Sequence, residues 1–182
     1  MKLVETHLPE VKIIEPRIFT DNRGFFYESW NAQTLANAGL DDTFVQDNHS
    51  GSAQGVLRGL HYQLTRPQGK LVRVAAGRVY DVAVDLRRGS PRFGQWVGIE
   101  LSAENRRMLW IPPGFAHGFV ALEAGTEFLY KCTDYYAPAD ERTLLWNDPA
   151  IGIDWPLDLI GTPLLSAKDE AGLRLAEAEV YS

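Results

Sequence analysis

The sequence predicts a mainly β protein, built as a barrel or a sandwich. Short apolar runs recur along its 182 residues and are interrupted by Gly, Pro, Asn and Asp, which is typical of sheets joined by tight turns. The runs are VKIIEP, GFFYE, GVLRGLHYQ, KLVRVAAG, RVYDVAVDLR, QWVGIEL, RMLWIPP, HGFVAL and TEFLYKCTDYY. No fixed-period repeat or low-complexity linker separates them, so we expect residues 1–182 to form a single domain.

Two helices are predicted beside the strands. One spans about residues 30–38 and ends at Gly39, because glycine commonly follows the last turn of a helix. The other spans about residues 167–179, with Ser166 in the N-cap position. Neither helix is long enough to form a separate domain.

The composition excludes several classes of protein. No apolar run approaches the roughly 20 residues that a membrane-spanning helix needs. The net charge of −6 opposes non-specific binding to nucleic acid, which depends on many contacts from lysine and arginine to phosphates. Charges and a proline interrupt the N-terminal segment MKLVETHLPEVKIIEP, so it does not resemble a secretory signal. We therefore expect a cytoplasmic protein without a membrane or nucleic-acid partner.

Cys132 is the only cysteine. A single cysteine excludes an internal disulfide and a metal site with several thiolates. No histidine is adjacent to it in the segment KCTDYY, and an activated thiol usually has such a neighbour. We expect Cys132 to be an unreactive strand residue.

Two segments match the spacing of cupin motifs. Residues 111–119 read IPPGFAHGF and reproduce the P-x-G-x-x-H spacing of the second motif, ending at His117. Gly55 and His61 keep the opening spacing of the first motif, and Gly77 keeps its closing glycine. These matches favour a cupin-like jelly roll with both histidines directed into the barrel.

The same motifs depart from the metal-binding pattern at two positions. Gln63 replaces the second histidine of the first motif, and Lys70 stands where its glutamate ligand is expected. An ammonium group repels a divalent cation, so we expect a site without a metal or other cofactor. Lys70 is then a candidate for stabilising a developing oxyanion, and the alternative is a solvated lysine at a strand edge.

Three further side chains are candidates for proton transfer, each with a structural alternative. His61 is either a base or a hydrogen-bonded core histidine, and Tyr130 is either a proton donor or a packed aromatic. Asp169 follows a serine by three residues, so it either completes a capping box or orients the ring of His61. Asp81 and Asp85 are rival carboxylates for that second role.

Seven segments together resemble one family, the dTDP-4-dehydrorhamnose 3,5-epimerases. They occur in the order of that family from Thr20 to Asp169 and read TDNRGFFYE, QDNHSGS, GVLRGLHYQ, GKLVRV, IPPGFAHGF, YKCTDYY and SAKD. The resemblance implies an epimerase that inverts C3 and C5 of dTDP-4-dehydro-6-deoxy-D-glucose through enolates. The product is dTDP-4-dehydro-L-rhamnose, an intermediate of dTDP-L-rhamnose biosynthesis.

The resemblance also implies roles for individual residues. His61 matches the general base, Asp169 its partner carboxylate and Tyr130 the acid on the opposite face of the sugar, while Lys70 would face the enolate oxygen. The positions that match substrate-binding residues are Arg23, Glu28, Gln46, Asn48, Arg58, His117, Tyr136, Glu141 and Lys168.

Two implications concern the nucleotide and the assembly. Tyr136, rather than its neighbour Tyr135, is the preferred stacking partner of thymine. Members of the family are homodimers in which the N-terminal segment reaches the site of the partner. Arg23 and Glu28 would then act across the interface.

One local difficulty arises in the strand that carries Arg58 and His61. The two residues are an odd number of positions apart, so a regular strand would direct them to opposite faces. We expect a bulge at Gly59 that brings both side chains to one face.

Three alternative functions remain open at this point. An enzyme on the same scaffold could invert only one carbon or move the ketone to a neighbouring position. A second alternative is a non-catalytic cupin that binds a sugar nucleotide. A metal-dependent cupin oxygenase is the third, and Gln63 and Lys70 oppose it.

Overall fold

A computed structural model describes residues 1–182 and shows a mainly β protein. Its strands are β1 Lys2–Glu5, β2 Lys12–Glu15, β3 Phe19–Asp21, β4 Gly24–Phe26, β5 Gln46–Ser52, β6 Leu57–Gln63, β7 Lys70–Ala76, β8 Arg78–Asp85, β9 Trp96–Ser102, β10 Met108–Ile111, β11 Phe115–Ala121, β12 Thr126–Cys132 and β13 Glu141–Thr143. The helices are α1 Ala32–Asn37, α2 Leu157–Ile160 and α3 Ala167–Glu170, with a 3₁₀ turn at Pro138–Asp140.

The strands form two large antiparallel sheets and one separate hairpin. The first sheet has the order β1-β2-β10-β7-β12-β5, and the second has the order β13-β6-β11-β8-β9, while β3 pairs only with β4. The main apolar cluster takes side chains from both sheets, including Val72 and Phe128 from the first and Ala83 and Phe119 from the second. The two sheets therefore pack face to face as a cupin-like jelly roll.

Strand alternation decides which side chains enter the space between the sheets. On β8, Val79 and Ala83 pack in the cluster between the sheets, whereas Val82 and Val84 pack on the outer face. Asp81 shares the inward direction of Val79 and Ala83, since side chains of a strand repeat every second residue. A carboxylate is thus placed inside the barrel.

Other segments cover the outer faces of both sheets. Leu35 of α1 packs on Ile14, Leu71 and Met108 of the first sheet. The chain after β13 covers the second sheet with buried residues such as Trp155. No helix has both the length and the apolar character needed to cross a membrane.

The predicted strands are confirmed, and four further strands were not predicted. All nine apolar runs contain an observed strand. The additional strands are β1, β3, β5 and β13. The sequence QDNHSGS of β5 lacks apolar alternation because β5 is an edge strand of its sheet, and an edge strand need not bury every second side chain.

The first predicted helix is confirmed within about two residues at its start. It corresponds to α1, and its start is set by Asn31, whose side chain accepts a hydrogen bond from the Thr34 N–H.

The length predicted for the second helix is wrong. Ser166 is its N-cap, as expected, but α3 contains only four residues, Ala167–Glu170. A Cβ atom at Gly172 would lie 2.9 Å from the backbone of Leu144, so the chain packs directly on its neighbour there. The Leu173 N–H then donates to the Thr143 carbonyl, which replaces the hydrogen bonds of a longer helix.

The bulge predicted at Gly59 is confirmed. His61 is opposite His117, whereas Arg58 is opposite Phe119, so three steps along β6 match two steps along β11. Gly59 has a φ of +122°, and a Cβ atom on it would lie 2.5 Å from the Cα atom of Gly118. Only glycine fits this conformation and this close approach without strain.

Replacing Gly59 with alanine should destabilise the fold. We expect Gly59→Ala to lower the free energy of unfolding by roughly 1 to 3 kcal/mol, because the added carbon meets backbone and the φ angle is unfavourable. Urea unfolding followed by circular dichroism measures the change. Gly89→Ala is the matched control, because nothing lies within 4 Å of a Cβ atom at that position; similar stability of the two variants would contradict the prediction.

Candidate active site

A cavity of about 380 Å³ lies between the two sheets and contains most of the predicted site. Its walls come from both sheets, and α3 lies at its rim. The residues predicted from the sequence that line it are Gln46, Asn48, Arg58, His61, Lys70, His117, Tyr130, Tyr136, Glu141, Lys168 and Asp169.

Five residues that line the cavity were not among the predicted site residues: Ser50, Gln68, Phe119, Phe128 and Ser166. Phe119 and Phe128 belong to the core cluster, so hydrophobicity alone could not separate them from other core residues. Ser166 was identified only as a helix cap. Its place three residues before Asp169 was the available signal that it also contacts the site.

The candidate base and the candidate acid are on opposite walls. His61 projects from β6 and His117 from β11, both in the five-stranded sheet. Lys70 projects from β7 and Tyr130 from β12, both in the six-stranded sheet. Facing sheets are about 10 Å apart, so a small ligand bound between them would have His61 on one side and Tyr130 on the other.

Asp169 is the carboxylate that contacts His61. Its Oδ1 atom lies 2.6 Å from Nε2 of His61 and also accepts a hydrogen bond of 3.1 Å from the Gly59 N–H. The Ser166 hydroxyl donates to Oδ2 at 2.6 Å, while its oxygen also caps α3. The N-cap hydrogen bond of Ser166 and the contact of Asp169 with His61 therefore occur together, although the carboxylate accepts from the Ser166 hydroxyl and not from its backbone N–H, as a full capping box would require.

These contacts determine the protonation of the pair. Burial opposes the charge of Asp169, but the hydrogen bonds from His61, Ser166 and Gly59 outweigh this effect and lower its pKa to about 2. An ionised carboxylate only accepts hydrogen bonds, so Nε2 of His61 carries the proton. In the neutral imidazole, the other ring nitrogen, Nδ1, then carries the free electron pair that a base requires.

The rival carboxylates have other partners. Asp81 is fully buried and contacts Nε2 of His117. Asp85 accepts hydrogen bonds from the Arg87 guanidinium and the Ser90 hydroxyl. The structure therefore leaves Asp169 as the partner of His61.

Lys70 lies in the cavity rather than at a solvated strand edge. Burial lowers the pKa of its ammonium group, and the nearby Cys132, Asp81 and Glu141 oppose this shift. Cys132 is directly opposite Lys70 on β12, and burial raises the pKa of its thiol. A thiol with a raised pKa is a poor nucleophile, in agreement with the expected unreactive role.

Tyr130 is suited to donate a proton. Its side chain packs against the core between the sheets and also lines the cavity. Burial raises the pKa of its phenol to about 12. The hydroxyl is therefore protonated at neutral pH.

Cations and an exposed aromatic ring surround the rim of the cavity. The guanidinium of Arg58 is held by the Ser52 hydroxyl and the Gly51 carbonyl. Lys168 contacts both oxygens of Glu141 at 2.9 and 3.0 Å, and the Tyr136 hydroxyl donates to the same carboxylate. With Lys70, three cations face the cavity against two carboxylates, although the whole chain is acidic.

Two predicted binding residues lie outside the cavity within this chain. Arg23 forms an ion pair with Asp21 on the β3–β4 hairpin, and 85% of its side chain is exposed. Glu28 accepts a hydrogen bond from Asn31 at the start of α1. Neither residue lines the cavity, so one chain alone does not bring either of them to the site.

Comparison with known proteins agrees with the geometry. The model of the dTDP-4-dehydrorhamnose 3,5-epimerase family matches residues 5–177. The chain belongs to this family. Its members are isomerases. A dTDP-4-dehydrorhamnose 3,5-epimerase from Pseudomonas aeruginosa is 59% identical over 182 residues, which cover 100% of this chain and 99% of the relative.

Two further relatives show that the likeness extends over nearly the whole epimerase. The Salmonella typhimurium dTDP-4-dehydrorhamnose 3,5-epimerase is 58% identical, covering 98% of this chain and 97% of its own. A Legionella pneumophila dTDP-6-deoxy-D-glucose-3,5-epimerase, solved in complex with dTDP-4-keto-L-rhamnose, superposes with a TM-score of 0.94 at 55% identity. That alignment covers 98% of this chain and 94% of the other.

The depressed pKa of Asp169 predicts a pH-dependent contribution to stability. A carboxyl group whose pKa is about 2 when folded and 3.8 ordinarily stabilises the fold above about pH 4 and loses this effect as the pH falls towards 2. We expect the stability difference between the wild type and Asp169→Asn to shrink by roughly 2 kcal/mol between pH 6 and pH 2.

Urea unfolding at several pH values measures this difference. Asp158→Asn is the control, because Asp158 is exposed on α2 and its substitution should have the same small effect at each pH. A constant difference for Asp169→Asn over this range would show that the carboxylate is not stabilised by His61, Ser166 and Gly59.

Proposed function

We propose that this epimerase inverts C3 and C5 of dTDP-4-dehydro-6-deoxy-D-glucose to give dTDP-4-dehydro-L-rhamnose. The names of the relatives and the sugar nucleotide bound to the Legionella enzyme support this substrate. The arrangement that carries the proposal is the placement of His61 and Tyr130 on opposite walls of one cavity. We place the reaction in the cytoplasm on the basis of sequence composition alone.

His61 removes the proton from the carbon next to the C4 ketone. Its Nδ1 atom carries the free electron pair, because Nε2 donates to Asp169. When the ring takes up the proton, it becomes an imidazolium next to an ionised carboxylate, which stabilises the new charge. Asp169 thus orients the base and balances its charge without exchanging a proton itself.

The enolate formed in this step needs a positive group near its oxygen. Each pKa unit by which the carbon acid is weaker than the protonated base costs about 1.4 kcal/mol. The ammonium group of Lys70 lies in the same cavity and can stabilise the oxyanion by charge and hydrogen bonding. Lys70 therefore occupies the role that a metal ion has in other enzymes that form enolates.

Tyr130 completes the inversion from the other wall. Its protonated phenol donates to the carbon on the face opposite to His61, so the C–H bond re-forms with inverted configuration. The step leaves a phenolate and an imidazolium. The imidazolium then loses its proton to water and the phenolate takes one up from water, which restores both groups before the second carbon reacts.

The rim of the cavity has the charges and the ring needed for a thymidine diphosphate. Arg58 and Lys168 can form charge-assisted hydrogen bonds with the diphosphate. The ring of Tyr136 is 49% exposed and free to stack on thymine. Glu141, which contacts both Lys168 and Tyr136, holds these two groups in place.

We further infer a homodimer whose N-terminal hairpin completes the site of the partner. Phe19, Phe25 and Phe26 are half or more exposed on β3 and β4, which pair with no other strand of the chain. Exposed aromatic clusters mark interaction sites. Arg23 lies on this hairpin and Glu28 follows it, and both are outside the cavity of their own chain. This position is expected if, as the family resemblance implies, the two residues act in the site of the partner.

Solvent deuterium tests the reaction and its two proton carriers. The wild-type protein should incorporate deuterium from D₂O at C3 and C5 of dTDP-4-dehydro-6-deoxy-D-glucose, observed by NMR. We expect His61→Asn and Tyr130→Phe each to lower the rate of product formation by about 10² to 10⁴, because each removes one proton carrier.

Two matched variants control for non-specific effects of the substitutions. His49→Asn and Tyr135→Phe replace exposed residues outside the cavity and should retain wild-type rates. Exchange at only one carbon would indicate an enzyme that inverts a single centre. A complete lack of exchange by pure wild-type protein would refute the proposed function.

Mixed dimers test whether Arg23 acts across the interface. Neither Arg23→Ala nor His61→Asn should be appreciably active alone, but mixing them should restore roughly a quarter of wild-type activity. Half of the dimers are then mixed, and each mixed dimer holds one complete site. Activity is measured after the chains exchange, and sedimentation establishes the dimer. A mixture no more active than its components would place Arg23 outside the partner's site.

A further inference from the structure

A second pair of imidazole and carboxylate lies next to the catalytic pair. Nε2 of His117 is 3.0 and 3.1 Å from the two oxygens of Asp81. His117 is directly opposite His61 in the pairing of β11 with β6. Asp81 is fully buried and His117 nearly so, and the sequence assigned no role to Asp81 beyond that of a rival partner for His61.

The ring of His117 is held in one orientation. Phe128 stacks against it at a centroid distance of 6.1 Å and an interplanar angle of 21°, while Asp81 holds its Nε2 edge. His117 lines the cavity, and no protein group hydrogen-bonds to its Nδ1 atom. The ring therefore keeps Nδ1 for a ligand.

The charges around the pair determine where the proton lies. The titratable groups facing His117 are Asp81 from β8, Lys70 from β7 and His61 from β6. Both carboxylate oxygens of Asp81 approach one nitrogen, and an ionised carboxylate only accepts hydrogen bonds. Burial raises the pKa of Asp81, and the contact with His117 and the charge of Lys70 oppose this shift. The Lys70 cation also disfavours a second cation on His117.

We propose that Asp81 is a positioning residue that holds His117 as the neutral Nε2–H tautomer, so that Nδ1 accepts a hydrogen bond from a sugar hydroxyl. The identity of that ligand rests on the proposed function, whereas the tautomer does not. A ring without a proton on Nδ1 cannot donate to the enolate oxygen. Stabilisation of that oxygen is then left to Lys70, and His117 contributes to substrate binding.

The two histidines differ in burial, although both donate Nε2–H to a carboxylate. The side chain of His61 is 21% exposed and that of His117 is 7% exposed. Burial lowers the pKa of His117, in spite of the opposing effect of Asp81. Burial disfavours the charged form of an imidazole, which suits His117 for accepting a hydrogen bond rather than a proton.

The tautomer is measured directly by NMR of the intact protein labelled with ¹⁵N-histidine. The chain has four histidines, and loss of one set of signals in His117→Asn assigns the resonance. Couplings between ring nitrogens and carbon-bound protons show which nitrogen is protonated. We expect a neutral His117 with the proton on Nε2 from pH 6 to pH 8.

Two outcomes of this measurement would overturn the proposal. A proton on Nδ1 alone would mean that Asp81 is protonated and donates to Nε2. Protons on both nitrogens at neutral pH would make His117 an imidazolium, able to donate to the enolate. The spectrum needs no substrate, so it remains decisive if the proposed reaction fails or if a variant does not fold.

Asp81→Asn links the tautomer to substrate binding. The asparagine amide can donate a hydrogen bond to Nε2 and so move the ring proton to Nδ1. Because the substrate then loses one hydrogen bond, we expect the KM to rise about ten-fold. The change in kcat should be smaller. Asp85→Asn is the matched control, a buried carboxylate on the same strand that contacts Arg87 instead. It should leave the tautomer and the KM unchanged.

The kinetic comparison also has outcomes that contradict the proposal. A wild-type KM for folded Asp81→Asn with a shifted tautomer would show that Nδ1 contacts no part of the substrate. Selective loss of deuterium exchange at one carbon in His117→Asn would show that His117 removes a proton itself.

Discussion

The site depends on the bulge that Gly59 makes in β6. The close approach of Gly59 to Gly118 leaves no room for a side chain, and the extra residue turns Arg58 to the same cavity as His61. The Gly59 N–H also donates to Asp169, so one local distortion sets the direction of the base and binds its partner carboxylate. A regular strand would direct Arg58 and His61 to opposite faces.

The face-to-face packing of the sheets provides what an inversion requires. A base and an acid on one strand, or on neighbouring strands of one sheet, would meet the same face of the sugar. In this fold, His61 is on one sheet and Tyr130 on the other, and both line one cavity of about 380 Å³. The fold thus supplies the stereochemical requirement, and a few side chains supply the proton transfers.

Several residues in the site have more than one function, and this limited what the sequence could predict. Ser166 was predicted as a helix cap, and it also donates to the carboxylate of Asp169. Helix capping and the contact with His61 looked like alternatives from spacing alone, but the short helix α3 combines the N-cap bond of Ser166 with that contact. Asp81 looked like a rival partner for His61, yet strand register places it against His117. Local spacing does not distinguish such cases.

The sequence by itself determined nine of the thirteen strands, the N-cap of the last helix, the family and eleven of the side chains that line the cavity. Alternation, turn residues and motif spacing are local properties, so they can be read without a structure. Only the tertiary structure decided which carboxylate meets which imidazole, since Asp169 is 108 residues from His61 along the chain. It also decided the protonation states, because burial and neighbouring charges depend on how distant strands pack.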